Sequence, residues 1–303
     1  MQWNRREFVV RSSFAALGAL GHRPLFAQAP AAQQAPVVPK FEDVRRNVGV
    51  FTARGGTIGY LVAPDGVVVV DSQFADTAPL FLEGLKPRTS RRIDLLINSH
   101  HHGDHTGGNK AMQPSVAAIV AHANVPGLQR KAAAAAKTEA NQAYAGTTFE
   151  KDWKTAVGGE TVSARHYGPA HTGGDIVITF QNANVAHMGD LMSFQRNPRA
   201  DRPAGASIVN WIPVIESTVK DHAADTIFIF GHSKAGERVT GSGKDLLELR
   251  DYFTAMLDFA RKGLASGRPI AEIVKAAAIP GFERYEGTPA ALQAACEELA
   301  AKS

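Results

Sequence analysis

Residues 98–108 read Asn-Ser-His-His-His-Gly-Asp-His-Thr-Gly-Gly, which places four histidines and an aspartate in the six positions from His100 to His105. No packed core needs that concentration of imidazole and carboxylate. A borderline divalent cation such as zinc does, because neutral imidazole nitrogens and a carboxylate oxygen suit its coordination preferences. The run follows the apolar residues 93–97, which have the composition of a buried strand, and it closes on Gly107-Gly108. Ligands at the end of a strand are held by a rigid element. The chain must therefore fold so that distant segments complete a metal site around this loop.

A chain of 303 residues with 44% hydrophobic residues can bury one large α/β core or two small ones. Its net charge of +4 is local: Arg5, Arg6, Arg11 and Arg23 against Glu7 place most of the excess in the first 29 residues. The remainder is nearly neutral, so the charge gives no reason to expect a nucleic-acid partner. One cysteine, Cys296, excludes an intrachain disulfide and a cysteine-rich zinc cage.

Asn4-Arg5-Arg6-Glu7-Phe8-Val9-Val10 precedes a short apolar run at 14–20 and an Ala/Pro/Gln-rich stretch. This resembles a twin-arginine export signal and implies a periplasmic or secreted protein. The expected layout is a signal over residues 1–29, a linker over 30–44 and one domain over 45–303. Seven apolar residues cannot cross about 30 Å of hydrocarbon, so no stable membrane insertion is expected once the signal is removed.

Along the domain, strands are expected at 48–53, 57–63, 66–71, 93–97, 117–121, 155–167, 175–181, 185–188 and 226–230. Helices are expected at 77–85, 124–145, 207–220 despite Pro213, and from Lys244 onwards with a break at Pro280-Gly281. The alternation falls into two halves, each opening on hairpin-like strands. That pattern suggests two sheets packed on each other and covered by helices.

Further candidate ligands fall beside these strands: His171 in Gly168-Pro169-Ala170-His171-Thr172-Gly173-Gly174-Asp175, Asp190 in Met188-Gly189-Asp190, and His232 in Phe230-Gly231-His232. The ordered set His100-x-His102-x-Asp104-His105, His171, Asp190 and His232 resembles the metallo-β-lactamase superfamily over residues 48–232. Asp71 matches an aspartate that the family carries near its first strands. The resemblance implies an α/β fold, a four-layer αββα sandwich, with a metal centre at one edge between the sheets. It implies two Zn2+ per chain, the first held by His100, His102 and His171, the second by Asp104, His105 and His232, with Asp190 bridging. The chemistry implied is hydrolysis of an ester, lactone, thioester or lactam bond by a metal-bound hydroxide, with Asp104 orienting the nucleophile and passing its proton on.

Some β-lactamase subclasses carry cysteine where Asp190 stands; glyoxalase II-like thioesterases and lactonases carry aspartate. A lactonase-type tyrosine three residues later is replaced by Ser193. The competing reading is a mononuclear iron oxidoreductase resembling persulfide dioxygenases, and a non-catalytic metal-binding module is a third.

His101 is the skipped position of the motif and is expected to turn away. His122, His187 and His222 read as packing or surface residues, and His166 as a neighbour of the His171 loop. Arg196, Arg199, Arg202 and Lys234 are candidates to receive a substrate carboxylate, against the plainer reading of solvated loop charge. Oligomeric state and natural substrate are not legible.

Overall fold

The computed structural model describes residues 37–285 and 289–301. The export-signal expectation lies outside the described residues. No described helix is long and apolar enough to cross a membrane.

The chain opens with β1 (Lys40–Arg45), β2 (Val48–Thr52), β3 (Ile58–Ala63), β4 (Gly66–Val70), α1 (Ala78–Leu85) and β5 (Ile93–Asn98). Two one-turn helices, α2 (Gly103–Thr106) and α3 (Asn109–Met112), lead to β6 (Val116–His122), α4 (Val125–Ala136) and β7 (Thr147–Phe149). The second half runs β8 (Asp152–Val157), β9 (Glu160–Arg165), β10 (Val177–Phe180), β11 (Val185–His187), β12 (Ser193–Phe194), α5 (Ile208–Asp221), β13 (Ile227–Ile229), β14 (His232–Ser233) and β15 (Thr240–Gly241). Helices α6 (Gly243–Ala265), α7 (Ile270–Ile273) and α8 (Ala290–Ala300) follow.

Strands β1 to β7 form one seven-stranded sheet in chain order, and a six-stranded sheet runs β15-β13-β11-β10-β9-β8. Strand periodicity sorts the side chains into layers. Val68 and Val70 of β4 point between the sheets, where they meet Ile178, Phe180, Val185 and Ile229 of the second sheet. Val67 and Val69 point the other way, onto Phe81 and Leu85 of α1. The outer face of the second sheet buries Ala186 and Phe228 against Trp211 and Ile215 of α5, Phe253 and Met256 of α6 and Leu292 of α8. Helices thus cover both outer faces of two stacked mixed sheets, which is the αββα arrangement expected.

Three segments depart from the sequence expectation. β1 occupies residues 40–45, a stretch assigned to linker on composition; its Phe41 stacks on Phe81 with ring centroids 5.7 Å apart and so belongs to the core. The expected strand over 155–167 is a hairpin, β8 and β9, closed by Gly158 and Gly159, both at positive φ (+57° and +73°). Two consecutive residues at positive φ suit glycine, and the Gly-Gly pair was the available signal. The helix expected over 124–145 stops at Lys137, which is left-handed. Beyond it, the Ala143 carbonyl accepts from Asn109 Nδ2 at 3.0 Å and Gln129 Nε2 at 3.3 Å, which ties the segment to α3 and α4. Tertiary hydrogen bonds here override the helical propensity of an Ala-rich stretch.

Candidate metal centre

β4 and β5 run parallel in the first sheet, as do β11 and β13 in the second. The loops leaving their C-terminal ends carry Asp71, the His100–His105 run, Asp190 and His232. The loop from β9 to β10 brings His171 to the same edge. Close backbone approach makes this convergence possible. A Cβ at Gly231 would lie 2.3 Å from Asp190 Oδ1, and one at Gly56 would lie 2.1 Å from the His105 ring.

The side chains fall into two adjoining groups whose ligand atoms lie within 4.8 Å of one another: His100, His102, His171 and Asp190, and Asp104, His105 and His232. All seven sequence-predicted residues are therefore brought together. Asp190 stands between the groups, with Oδ2 3.5 Å from His171 Nε2 and Oδ1 3.0 Å from His105 Nε2. Asp104 Oδ2 lies 3.1 Å from His232 Nε2.

Hydrogen bonds fix which nitrogen faces inward on four of the five rings. His102 Nε2 donates to Asp201 at 2.9 Å, and His171 Nδ1 donates to the Arg199 carbonyl at 2.6 Å. Ser99 Oγ donates to Asp71 at 2.7 Å and so accepts from His100 Nδ1 at 3.1 Å. His105 Nδ1 donates to Asp71 at 2.7 Å. On His100, His102 and His171 the opposite nitrogens are thereby left as lone pairs. His102 Nδ1 and His171 Nε2 face each other at 2.9 Å, and His100 Nε2 is buried with no hydrogen-bond partner. Lone pairs converging in a buried space repel unless a positive charge lies among them, so the donor set fits a divalent cation.

Electrostatics distinguish the two groups. Burial, reinforced by His105, holds His100 well below the usual histidine range, and burial pushes His171 down to about 4. These rings are neutral, as a ligand must be. Burial also opposes charge on His232 and His105, but facing carboxylates outweigh it: Asp190 and Asp104 raise His232 to about 9, and Asp190 and Asp71 raise His105 well above its ordinary value. Burial pushes Asp190 up, yet His232 and His105 hold it well below the carboxylate range. The second group thus calls for positive charge.

Asp71, matched in the sequence only by resemblance, is fully buried at positive φ (+66°) and also accepts from the Ser99 amide at 2.7 Å. Sequence reasoning missed Asp201. Its carboxylate orients His102, and its amide donates to the His171 carbonyl at 3.0 Å, so one residue braces two members of the first group. No local pattern marks it, since it lies in a Pro- and Arg-rich loop 99 residues from His102. We expect Asp201→Ala to weaken zinc affinity about 10–100-fold while preserving the fold, measured by titration against a chromophoric chelator; an unchanged affinity would refute the bracing role.

His101 is buried, with Nε2 3.7 Å from Asp201; its ligand atom converges with those of His102 and Asp201 rather than with either of the two groups above. His102 Nε2 spends its hydrogen on Asp201, so that nitrogen is not offered to a third ion. His166 donates to the Asp175 carbonyl at 2.7 Å and stacks on His122 at 4.1 Å. His187 and His222 bond to the Thr57 carbonyl and to Thr179 and Thr218, as packing residues do.

A cavity of about 400 Å3 opens onto the centre, lined by Phe74, His102, Asp104, His171, Asp190, His232 and the loop residues Ser193, Arg196, Asn197 and Arg199. Arg202 is not among them: it bonds the Ala206 carbonyl at 2.9 Å and lies 3.8 Å from Glu298, which corrects its candidacy for substrate binding. Lys234 does not line the cavity either.

A family profile described as the metallo-beta-lactamase superfamily matches residues 51–238. Among solved structures, the stereoselective inverting sec-alkylsulfatase Pisa1 from Pseudomonas sp. is similar with a TM-score of 0.68 at 16% identity, over 86% of this chain and 50% of that one. The chain thus spans about half the length of the alkylsulfatase. A metallo-beta-lactamase from Pontibacter korlensis aligns with a TM-score of 0.58 at 18% identity, over 72% of this chain and 99% of that one. The metallo-beta-lactamase IND-7 gives 0.57 at 19%, over 70% and 98%. A search of the curated proteins finds no match.

Proposed function

The chain belongs to the metallo-beta-lactamase superfamily, and from that premise we propose that it is a dinuclear zinc hydrolase acting on an ester, lactone, thioester or lactam bond. The observation that carries this reading is the pair of adjoining donor groups with Asp190 between them. A single-ion site would need only one of the groups. In this proposal His100, His102 and His171 would hold one cation and Asp104, His105 and His232 the other, with Asp190 within reach of both. Bound zinc supplies Lewis acidity and lowers the pKa of water toward neutrality.

The chain's own residues do the rest. Asp104 is the most open of the carboxylates; burial pushes its pKa up, but the His232 hydrogen bond and the His105 charge hold it at about 2, so it is an acceptor at neutral pH. It orients the attacking water and takes its proton. The scissile bond from the acyl carbon to oxygen, sulfur or nitrogen then breaks, and the leaving atom receives that proton. Phe74 and the loop bearing Ser193 wall the cavity in which the acyl group lies. The export reading rests on Arg5-Arg6 and the apolar run behind them, and is likewise a proposal.

Metal analysis and a hydrolysis panel test the proposal. Purified protein should carry about two zinc per chain, lose hydrolysis on chelation and recover it with zinc. Suitable substrates are nitrocefin, 4-nitrophenyl acetate, an acyl-homoserine lactone and S-lactoylglutathione. One iron per chain, with activity restored by iron alone, would replace this reading with the dioxygenase-like one.

A further inference from the structure

We propose that Glu298, on the last helix of the chain, is a positioning residue for the first ligand group: it holds the loop that aims His102 and His171. The inference rests on the metal-centre reading for what the loop aims, but not for the hold itself. Glu298 is a buried carboxylate on α8. It accepts from the Ser207 hydroxyl at 2.6 Å, the Ile208 amide at 2.8 Å and the Val209 amide at 3.3 Å. Arg202 Nη1 approaches it at 3.8 Å from the loop before α5.

These donors lie at the start of α5. The opening amides of a helix have no partner within it, and the helix dipole places positive charge on them. Ser207 Oγ accepts from the Asn210 amide at 3.0 Å, and the Trp211 amide bonds the Ser207 carbonyl at 3.0 Å. That leaves the amides of Ile208 and Val209, and a carboxylate 90 positions after Ile208 serves both. Bonds to a buried carboxylate are charge-assisted, and in a buried place water does not replace them when the acceptor is lost.

From Ser207 the hold passes to the candidate ligands through backbone hydrogen bonds. The Ser207 amide donates to the Ala170 carbonyl at 2.9 Å, the Gly173 amide to the Ala204 carbonyl at 2.8 Å, and the Asp201 amide to the His171 carbonyl at 3.0 Å. Residues 199–207 are thereby zipped to residues 170–173, and neither segment lies in a sheet. The same loop supplies the Arg199 carbonyl to His171 Nδ1 and the Asp201 carboxylate to His102 Nε2. A second tie to the C-terminal helices is the Tyr252 hydroxyl of α6, which donates to Asn197. Ligand geometry must hold to about 0.5 Å, so a loop released at Ser207 misaims two of the three imidazoles of the first group.

The test uses the full chain with Glu298→Gln and, as control, Leu292→Ala, which removes a fully buried apolar side chain from the same helix. In Glu298→Gln an amide nitrogen replaces one accepting oxygen, so part of the donor set is stranded while the shape is kept. Titration against a chromophoric chelator should show one zinc site weakened about three- to tenfold and the other by less than about twofold. In a His171→Ala background the substitution should add nothing to the loss. Leu292→Ala should lower Tm at least as much, yet leave both zinc affinities within about twofold. In the metal-free protein, hydrogen exchange over residues 199–207 should be about tenfold faster in Glu298→Gln than in Leu292→Ala. Unchanged zinc affinity in Glu298→Gln, or equal weakening by Leu292→Ala, overturns the positioning role. If the parent chain binds no zinc while exchange over 199–207 rises in Glu298→Gln alone, the metal reading falls and the hold stands.

Discussion

His171→Ala should abolish hydrolysis and lower bound zinc from about two to about one per chain, without unfolding the protein. His171 is fully enclosed in the first ligand group, its Nε2 2.9 Å from His102 Nδ1 and 3.5 Å from Asp190 Oδ2, so no neighbouring side chain substitutes for it. A cation that polarises the reacting oxygen stabilises the transition state by several kcal/mol, and each 1.4 kcal/mol is a factor of ten. The expected loss in kcat is therefore about a thousandfold or more. The substitution also leaves the Arg199 carbonyl without its donor, a local cost of about 1–3 kcal/mol that a domain with three apolar clusters can absorb. His102→Ala should behave alike. His122→Ala is the control: it removes a buried imidazole that stacks on His166, away from the cavity, and should keep full activity. Zinc by atomic absorption, circular dichroism and initial rates decide the matter. Wild-type turnover in His171→Ala would falsify the assignment of the first group.

The largest expected effect on stability belongs to Asp71→Ala. This carboxylate is fully buried and accepts three hydrogen bonds, from the Ser99 amide, the Ser99 hydroxyl and His105 Nδ1, each at 2.7 Å. Removing it strands those donors in a water-free space and deletes the charge opposite His105. Breaking a buried pair in this way costs about 3–5 kcal/mol, which for a domain of this size lowers Tm by roughly 10 °C or more. Alanine is also strained at φ +66°, whereas asparagine tolerates that conformation. Asp71→Asn should therefore recover only the backbone part of the loss, since its amide nitrogen replaces an oxygen that accepts from Ser99 or His105, and should show weakened binding of one zinc. Differential scanning fluorimetry and zinc titration on the two variants separate the backbone effect from the electrostatic one. A Tm for Asp71→Ala within a degree of the parent would show that Asp71 does not anchor the loop.

Most strands of both sheets were legible because strand alternation and Gly or Pro punctuation are local signals. The exceptions have local causes too. Gly158-Gly159 is a turn that a count of β-branched residues passes over, and it divides an expected strand into β8 and β9. β1 hid beneath a composition that resembles a linker, because its place in the core depends on Phe41 reaching Phe81 some forty positions later. Helix α4 ended early because Asn109 and Gln129 claim the Ala143 carbonyl, a contest that propensity cannot register.

The amino-acid sequence by itself determined the donor chemistry of the centre: His100, His102, Asp104 and His105 fall within six positions, because donor type resides in the side chains and their spacing is local. His171, Asp190 and His232 could be joined to that cluster only through a family resemblance. The tertiary structure decided what no window of sequence contains. It chose the inward nitrogen of four of the five rings, by supplying Asp71, Asp201, Ser99 and the Arg199 carbonyl as partners for the other. It separated Arg196 and Arg199, which face the cavity, from Arg202, which does not. The physical reason is that orientation and charge pairing depend on groups that come within about 3 Å only after segments tens of residues apart have packed, and a hydrogen bond leaves no mark on the sequence between its partners.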